Sequence, residues 1–361
     1  MDNTIVALHG VNDLRVEYLP VPEVDRDEVL IRVTKVGLCG SDLCAVYKGT
    51  HGDLRIGLPC GLGHEAAGVV TKCGQDVTHV KPGDRVTIEP GTFCRTCELC
   101  LTGKHNVCAN SSFHGSPRFY PGCLARYYKH KALFVFRLPD SISDEEGAVV
   151  EPLAVAVHAC RRAEVWAGCR MLVTGAGPIG LLCLSVAKAL GATNILITDI
   201  KDSRLAMAKR MGADHTLLVT SEDTQCQVQQ VQQIMGCQPD ITMECSGTKA
   251  GLSLGIYVTK SGGKLVQVGV GAPEVTVPLG VYRYVNCFPI AIDLLAKKLV
   301  DVKPLITHRF NFEEFQKAFD MFRSAEDGAI KCMISKFTIA NIRCSKDFTS
   351  HHDNPMVRLF K

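Results

Sequence analysis

No stretch of this chain stays apolar long enough to cross a membrane, and the opening MDNTIVALHG has no basic segment followed by an apolar one. Neither a spanning helix nor a secretory leader is therefore predicted. Internal repeats, low-complexity tracts and lipidation motifs are also missing, and neither a fibre nor a disordered chain is implied. Excess charge is small: a formal net charge of +3 over 361 residues, with Lys and Arg scattered rather than clustered, argues against a nucleic-acid or membrane partner. What is present, 46% hydrophobic and 21% charged residues, is ordinary for a globular protein with a sizeable core, and the length suggests two domains. The 18 cysteines are many. Without a leader the expected compartment is the reducing cytosol, so these thiols are metal ligands, core residues or surplus rather than a disulfide framework.

The chain is organised around Arg170 to Ile200, RMLVTGAGPIGLLCLSVAKALGATNILITDI. Met171 to Thr174 read as an apolar strand, Gly175, Gly177 and Gly180 as G-x-G-x-x-G, and Leu181 to Leu190 as a helix. Ile195 to Thr198 form a second strand that ends on Asp199, about 20 residues beyond the glycines, as a dinucleotide fingerprint requires. Gly175 allows the sharp turn, Gly177 lets bare backbone approach a pyrophosphate, and Gly180 lets the helix lie close on its strand. Asp199 suits the two ribose hydroxyls and repels a 2′-phosphate, favouring NAD over NADP, although Arg204 is near enough to soften that preference. A glycine turn of purely structural use is the alternative, and the register of strands, helix and acid argues against it.

Around this core, residues 1 to about 36 read as β-rich, ending in the strand VLIRVTKVG. Cys39 follows in GLCGSD and His64 with Glu65 in GLGHE. A thiolate, an imidazole and a carboxylate form a mixed donor set of the kind an open, catalytic zinc site uses. A buried cysteine and a core histidine are the bland alternative. Cys44 to Leu62, between them, is expected to be a loop. Cys94, Cys97, Cys100 and Cys108 stand as C-x2-C-x2-C-x7-C, which fits a closed tetrahedral zinc site. An iron–sulfur cluster and unliganded thiols are the rivals, and Cys123 reads as a bystander. SISDEEGAVVEPLAVAVHAC reads as a helix with a Ser143/Glu146 capping box. Glu151 lies within its apolar face, either pointing into the metal pocket or serving as a helix acid. Beyond Ile200 helices and strands alternate as in a doubly wound parallel sheet, with five strands clear. Val268, Gly269 and Val270 are expected to end a strand where the nicotinamide end of a dinucleotide lies. From Thr338 onward the pattern dissolves and a loose tail is expected.

Taken in one order, GLCGSD, GLGHE, the four-cysteine loop, EPLAVAVHACRR, GAGPIG, VYRYVN and VKPLITHRF resemble the zinc-dependent medium-chain dehydrogenases, in their polyol branch, from about residue 4 to about 336. The resemblance implies an α/β chain: a GroES-like β-rich catalytic domain (1–153, with the structural-zinc loop 94–108), a Rossmann doubly wound parallel-sheet domain binding NAD (154–286), a return to the catalytic domain (287–337) and a tail (338–361). It implies that Cys39, His64 and Glu65 bind the catalytic zinc, that Glu151 touches the reacting site and substrate, and that Ser41 offers a proton exit. Arg283 and Tyr284 match substrate contacts. Ile179, Asp199, Arg204, Val268, Gly269, Val270, Val281, Tyr282 and Arg283 match positions lining NAD.

The activity implied is hydride transfer between NAD and the C2 carbinol of a polyol such as sorbitol or xylitol, giving a 2-ketose, in a cytoplasmic homo-oligomer, dimer or tetramer. A secondary-alcohol, butanediol or threonine dehydrogenase, or an impaired paralogue, is the alternative. Three features depart from the family pattern. Cys44-Ala45 replaces a His-Tyr pair, the stretch before Val281 is short, and the tail after Phe337 has no counterpart.

Overall fold

The computed structural model describes residues 2–51, 54–55, 57–113, 122–221, 223–270 and 286–335. Val281, Tyr282, Arg283 and Tyr284, the short stretch before them and the tail 338–361 lie outside the described residues. Among the described residues no helix is long and apolar enough to cross a membrane, and every cysteine is free.

The N-terminal part is built from strands β1 (Asp2–Gly10), β2 (Asp13–Pro20) and β3 (Glu28–Gly37), helix α1 (Gly40–Lys48), the short strands β4 (Thr50–His51), β5 (Leu54–Arg55) and β6 (Cys60–Gly61), then β7 (Glu65–Cys73) and β8 (Arg85–Ile88). The four-cysteine region holds β9 (Gly91–Thr92), the turn of helix α2 (Glu98–Leu101) and β10 (Ser112–Phe113); β11 (Tyr127–Lys131) and β12 (Val135–Arg137) follow. β3, EVLIRVTKVG, is buried on both faces because it is central, with β7 on one edge and β11 on the other. One expectation is corrected here: Cys44 does not begin a loop but lies inside α1. Asp42 at the third helical position accepts the Cys39 N–H at 2.9 Å, starting the helix, and Gly49, with φ +66°, ends it in the left-handed region.

Helix α3 (Asp144–Arg162) has the Ser143/Glu146 capping box read from the sequence, with the Glu146 N–H donating to Ser143 Oγ at 3.2 Å. It packs against β3, β7 and β8 on one side and the dinucleotide-type helix on the other, so it joins two cores.

The second unit alternates β13 (Arg170–Thr174), α4 (Pro178–Ala189), β14 (Thr193–Asp199), α5 (Asp202–Arg210), β15 (His215–Leu218), α6 (Thr224–Met235), β16 (Ile241–Glu244), α7 (Lys249–Val258) and β17 (Lys264–Gln267). All pairings are parallel and the order is β15-β14-β13-β16-β17, a doubly wound sheet whose direction of growth reverses between β13 and β16. A second expectation is corrected: β17 stops at Gln267, so Val268, Gly269 and Val270 lie in the loop beyond the strand. The cause is local, since Val268 and Gly269 both donate to the Glu244 carbonyl at 2.8 Å, which curls the chain off the ladder.

Helix α8 (Phe288–Ala296), β18 (Ile306–Phe310), α9 (Phe315–Ser324) and β19 (Lys331–Ser335) complete the described chain. β19 pairs antiparallel with the end of β3, Met333 opposite Gly37, so the last strand rejoins the first sheet. That return sets Lys331 beside the turn that carries Cys39.

Candidate active site

Three side chains from two turns meet at the end of β3. Cys39 follows β3, His64 precedes β7, and Glu65 opens β7 opposite Gly37. Their donor atoms all lie within 4.8 Å of one another, with His64 and Glu65 buried. Sequence-distant residues converge because Asp42, fully buried, accepts N–H groups from both turns: Cys39 at 2.9 Å and Gly63 at 3.1 Å. Gly63 has φ +80°, and a Cβ there would press on Leu124 N and Val36 at 2.9 Å. A Cβ on Gly37 would overlap the Glu65 carboxylate, so the glycine is what lets the acid lie over the strand end.

The donor set fits zinc. Nδ1 of His64 makes no hydrogen bond and faces Asp42 Oδ1 at 3.8 Å, a carboxylate behind the ring as metal-facing imidazoles have. Burial alone would lower His64, but the charges of Asp42 and Cys39 hold it well above the usual histidine range. An imidazolium among anions marks a place where a cation is favoured. Phe113 packs edge-on to the ring at 5.4 Å.

Lys331 is the functional neighbour that sequence reasoning missed. Its ammonium donates to both Glu65 oxygens, at 3.0 and 2.6 Å, and to the Leu38 carbonyl at 3.1 Å, with both side chains essentially out of solvent. Burial pushes the amine down, and the Glu65 charge and hydrogen bonds, with the charges of Cys39 and Glu151, together more than reverse this, so Lys331 stays charged.

Glu151 is buried within α3, directly before Pro152, which supplies no N–H to the preceding turn. Its charge helps raise His64, Lys331 and Glu89, which puts it in the same cluster. Ser41 lies half-buried in the first turn of α1, two residues after Cys39. Glu89, also missed by sequence reasoning, is buried with Oε1 unpartnered; burial first, then Glu151, push it up to about 8. Between about pH 4.5 and 8 the folded chain thus holds a proton that the unfolded chain has released. Its stabilising contribution is complete below about pH 4.5 and is lost as pH rises through 8. Glu89→Gln should remove that slope and, at pH 9, exceed the wild type in stability by on the order of 2–4 kcal/mol. Denaturant titrations across pH 5–9 check this; parallel profiles for the two proteins would refute it.

In the four-cysteine loop Cys94 lies 3.5 Å from Cys108 and 3.8 Å from Cys100, and Cys97 lies 3.7 Å from Cys108. Four thiolates around one zinc stand about 3.8 Å apart, so the loop is shaped for it. Backbone N–H groups of Thr96 and Cys97 pull Cys94 down to about 5.

At the dinucleotide turn Gly175 has φ +88°, and its N–H donates to the Thr198 carbonyl at 2.8 Å. Gly177 caps α4 with open space where a Cβ would stand, and a Cβ at Gly180 would overlap the Gly175 carbonyl. Asp199 is buried and accepts from Ala176 N at 2.8 Å and Lys201 N at 2.9 Å, with Arg204 at 3.6 Å. Ile179 is half-buried in α4, while Val270 is exposed.

Comparison with known proteins agrees with this architecture. The model of the alcohol dehydrogenase GroES-like domain matches residues 25–140, and that of the zinc-binding dehydrogenase matches residues 178–324. Sorbitol dehydrogenase of Gallus gallus is 45% identical, covering 92% of this chain and 96% of its own. That of Homo sapiens is 46% identical over 89% and 93%. An Escherichia coli crystal structure, an oxidoreductase/dehydrogenase of unknown specificity, superposes with a TM-score of 0.86 at 34% identity, covering 94% of this chain and 100% of that one. Matches of this extent, on a GroES-like β unit joined to a Rossmann sheet, make the chain a member of the zinc-binding medium-chain dehydrogenases, an enzyme family that works with zinc and a nicotinamide dinucleotide.

Proposed function

We propose that the protein is an NAD-dependent polyol dehydrogenase interconverting a sugar alcohol such as sorbitol or xylitol with its 2-ketose. The observation that carries this reading is the convergence of Cys39, His64 and Glu65 in a chain 45% identical to a sorbitol dehydrogenase. In this reading those three residues hold the catalytic zinc, and Cys94, Cys97, Cys100 and Cys108 hold the structural one. When bound, zinc supplies Lewis acidity toward a carbinol oxygen and the dinucleotide supplies the hydride acceptor.

The chain's own residues do the rest. Asp42 fixes the Cys39 and His64 turns, and Lys331 anchors Glu65. Glu151 receives the polar face of the substrate, and Ser41, at the helix start, takes the proton toward solvent. Asp199, an acid at the end of β14, suits a ribose diol and opposes a 2′-phosphate, which supports NAD. Residues 1–153 with 287–337 form the catalytic unit in this reading, and 154–286 the cofactor unit. Thiolates that are to hold zinc must stay reduced, which supports the cytosol, and the family likeness supports a homo-oligomer.

Cys44-Ala45 on α1, in place of a His-Tyr pair, favours a second reading: a wider, less polar pocket for a secondary alcohol or a diol such as 2,3-butanediol. NADH formation across sorbitol, xylitol, 2,3-butanediol and threonine separates the two. Turnover on the polyols is expected; turnover confined to small apolar alcohols would overturn the polyol assignment.

A further inference from the structure

Glu244 is the last residue of β16, and its side chain has no exposure to solvent. Among the described residues no lysine or arginine pairs with it. Burying a carboxylate without a cation is costly unless its lone pairs are filled, and here they are filled by uncharged donors. Oε1 accepts from Thr174 Oγ1 at 3.0 Å, from Ser246 N at 2.9 Å and from the Ser246 hydroxyl. Oε2 accepts from Gly247 N at 3.0 Å and Gln267 Nε2 at 2.6 Å. The Glu244 carbonyl takes the N–H groups of Val268 and Gly269.

The place matters as much as the network. Thr174 and Glu244 are neighbours across β13 and β16, where the sheet reverses direction and a crevice opens at the carboxyl ends of the strands. Ser246 lies against Gly175 of the glycine turn. Two loops therefore border that crevice, 245–247 and 268–270, and Glu244 holds both. They also touch backbone to backbone: a Cβ on Gly269 would overlap Gly247 N, and one on Gly247 would press on the Val270 carbonyl. Gln267 completes the brace, since its amide nitrogen also donates to the Gly269 carbonyl at 2.7 Å.

We propose that Glu244 is the positioning residue for the nicotinamide end of the bound dinucleotide: it sets the two loops that receive the ring, while the adenosine half binds at Gly177 and Asp199 without its help. This rests on the dinucleotide reading of the preceding section. Each carboxylate oxygen serves a backbone N–H, so an amide in its place must point its own N–H groups at Ser246 N or at Gly247 N, whichever way it is turned. Glu244→Gln therefore displaces loop 245–247, and through the glycine contact loop 268–270, while leaving Asp199 untouched.

The test compares two ligands by calorimetry on the zinc-loaded protein: NADH, and ADP-ribose, which lacks the ring. Glu244→Gln should bind NADH at least about tenfold more weakly than the wild type and ADP-ribose within about twofold. Gln267→Met, which removes one strut only, should lose NADH affinity in the same selective way but less, about threefold, and carries the test should the first variant not fold. Equal losses for both ligands, as a merely structural acid would give, or undiminished NADH binding, would overturn the proposal. A wild type that binds neither ligand overturns the dinucleotide reading itself, and this inference with it.

Discussion

Lys331→Met is expected to destabilise the zinc-free protein by about 3–5 kcal/mol, the effect of leaving one member of a buried ion pair alone. The Glu65 carboxylate would then lose the ammonium that hydrogen-bonds both its oxygens, its one ion-pair partner among the described residues, and the Leu38 carbonyl would lose its donor. Methionine has a similar length and no charge, so packing changes little and the electrostatic loss dominates. Zinc should restore part of the stability by giving Glu65 another positive partner, so the difference between variant and wild type narrows when metal is added. Turnover should still fall, by roughly tenfold or more, because the acid is no longer fixed against the strand end. Denaturant midpoints with and without zinc, together with initial rates, measure this. A variant equal to wild type in all three would show that the ion pair does nothing for the site.

Gly180→Ala should be nearly as damaging, at the other end of the crevice. The added methyl group overlaps a backbone oxygen, that of Gly175, and stands 3.4 Å from Val173 Cγ1. Neither can move cheaply: Gly175 is held in the turn by Thr198, and Val173 belongs to the central strand. The start of α4 must therefore tilt away from β13, carrying Gly177 and the helix N-terminus with it. An expected overpacking penalty of about 1–3 kcal/mol should accompany a rise in KM for NAD of at least about tenfold, with the KM for the alcohol changed far less. An unchanged KM for NAD would mean that the helix N-terminus does not receive the cofactor.

The parts of this molecule that sequence reasoning reached are those whose physical signal is local. G-x-G-x-x-G between an apolar strand and a helix, the Ser143/Glu146 cap and the closely spaced cysteines of residues 94–108 each declare themselves within a few turns of chain. α1 has no such signal, because its capping acid, Asp42, also looks like part of a loop motif and its buried face is short. β17 ends early because of Glu244, a residue more than twenty positions upstream of Val268, and no local pattern carries that. Lys331 and Glu244 stay hidden for one shared reason: a charged residue in a strand reads as solvent-facing, and only the tertiary pairing of β19 with β3, or of β13 with β16, reveals that it is buried with partners; Glu89, just past β8, carries no local sign of its burial. The substrate contacts expected at Arg283 and Tyr284 lie outside the described residues.

Zinc stoichiometry of the purified protein and of Cys39→Ser, each scored beside polyol-dependent NADH formation, decides whether the convergence of Cys39, His64 and Glu65 is a metal centre. Two cation-shaped clusters predict two zincs per chain in the wild type and one in the variant, with turnover abolished and the fold kept. Two zincs retained by an active Cys39→Ser protein would break the link between this cluster and the chemistry.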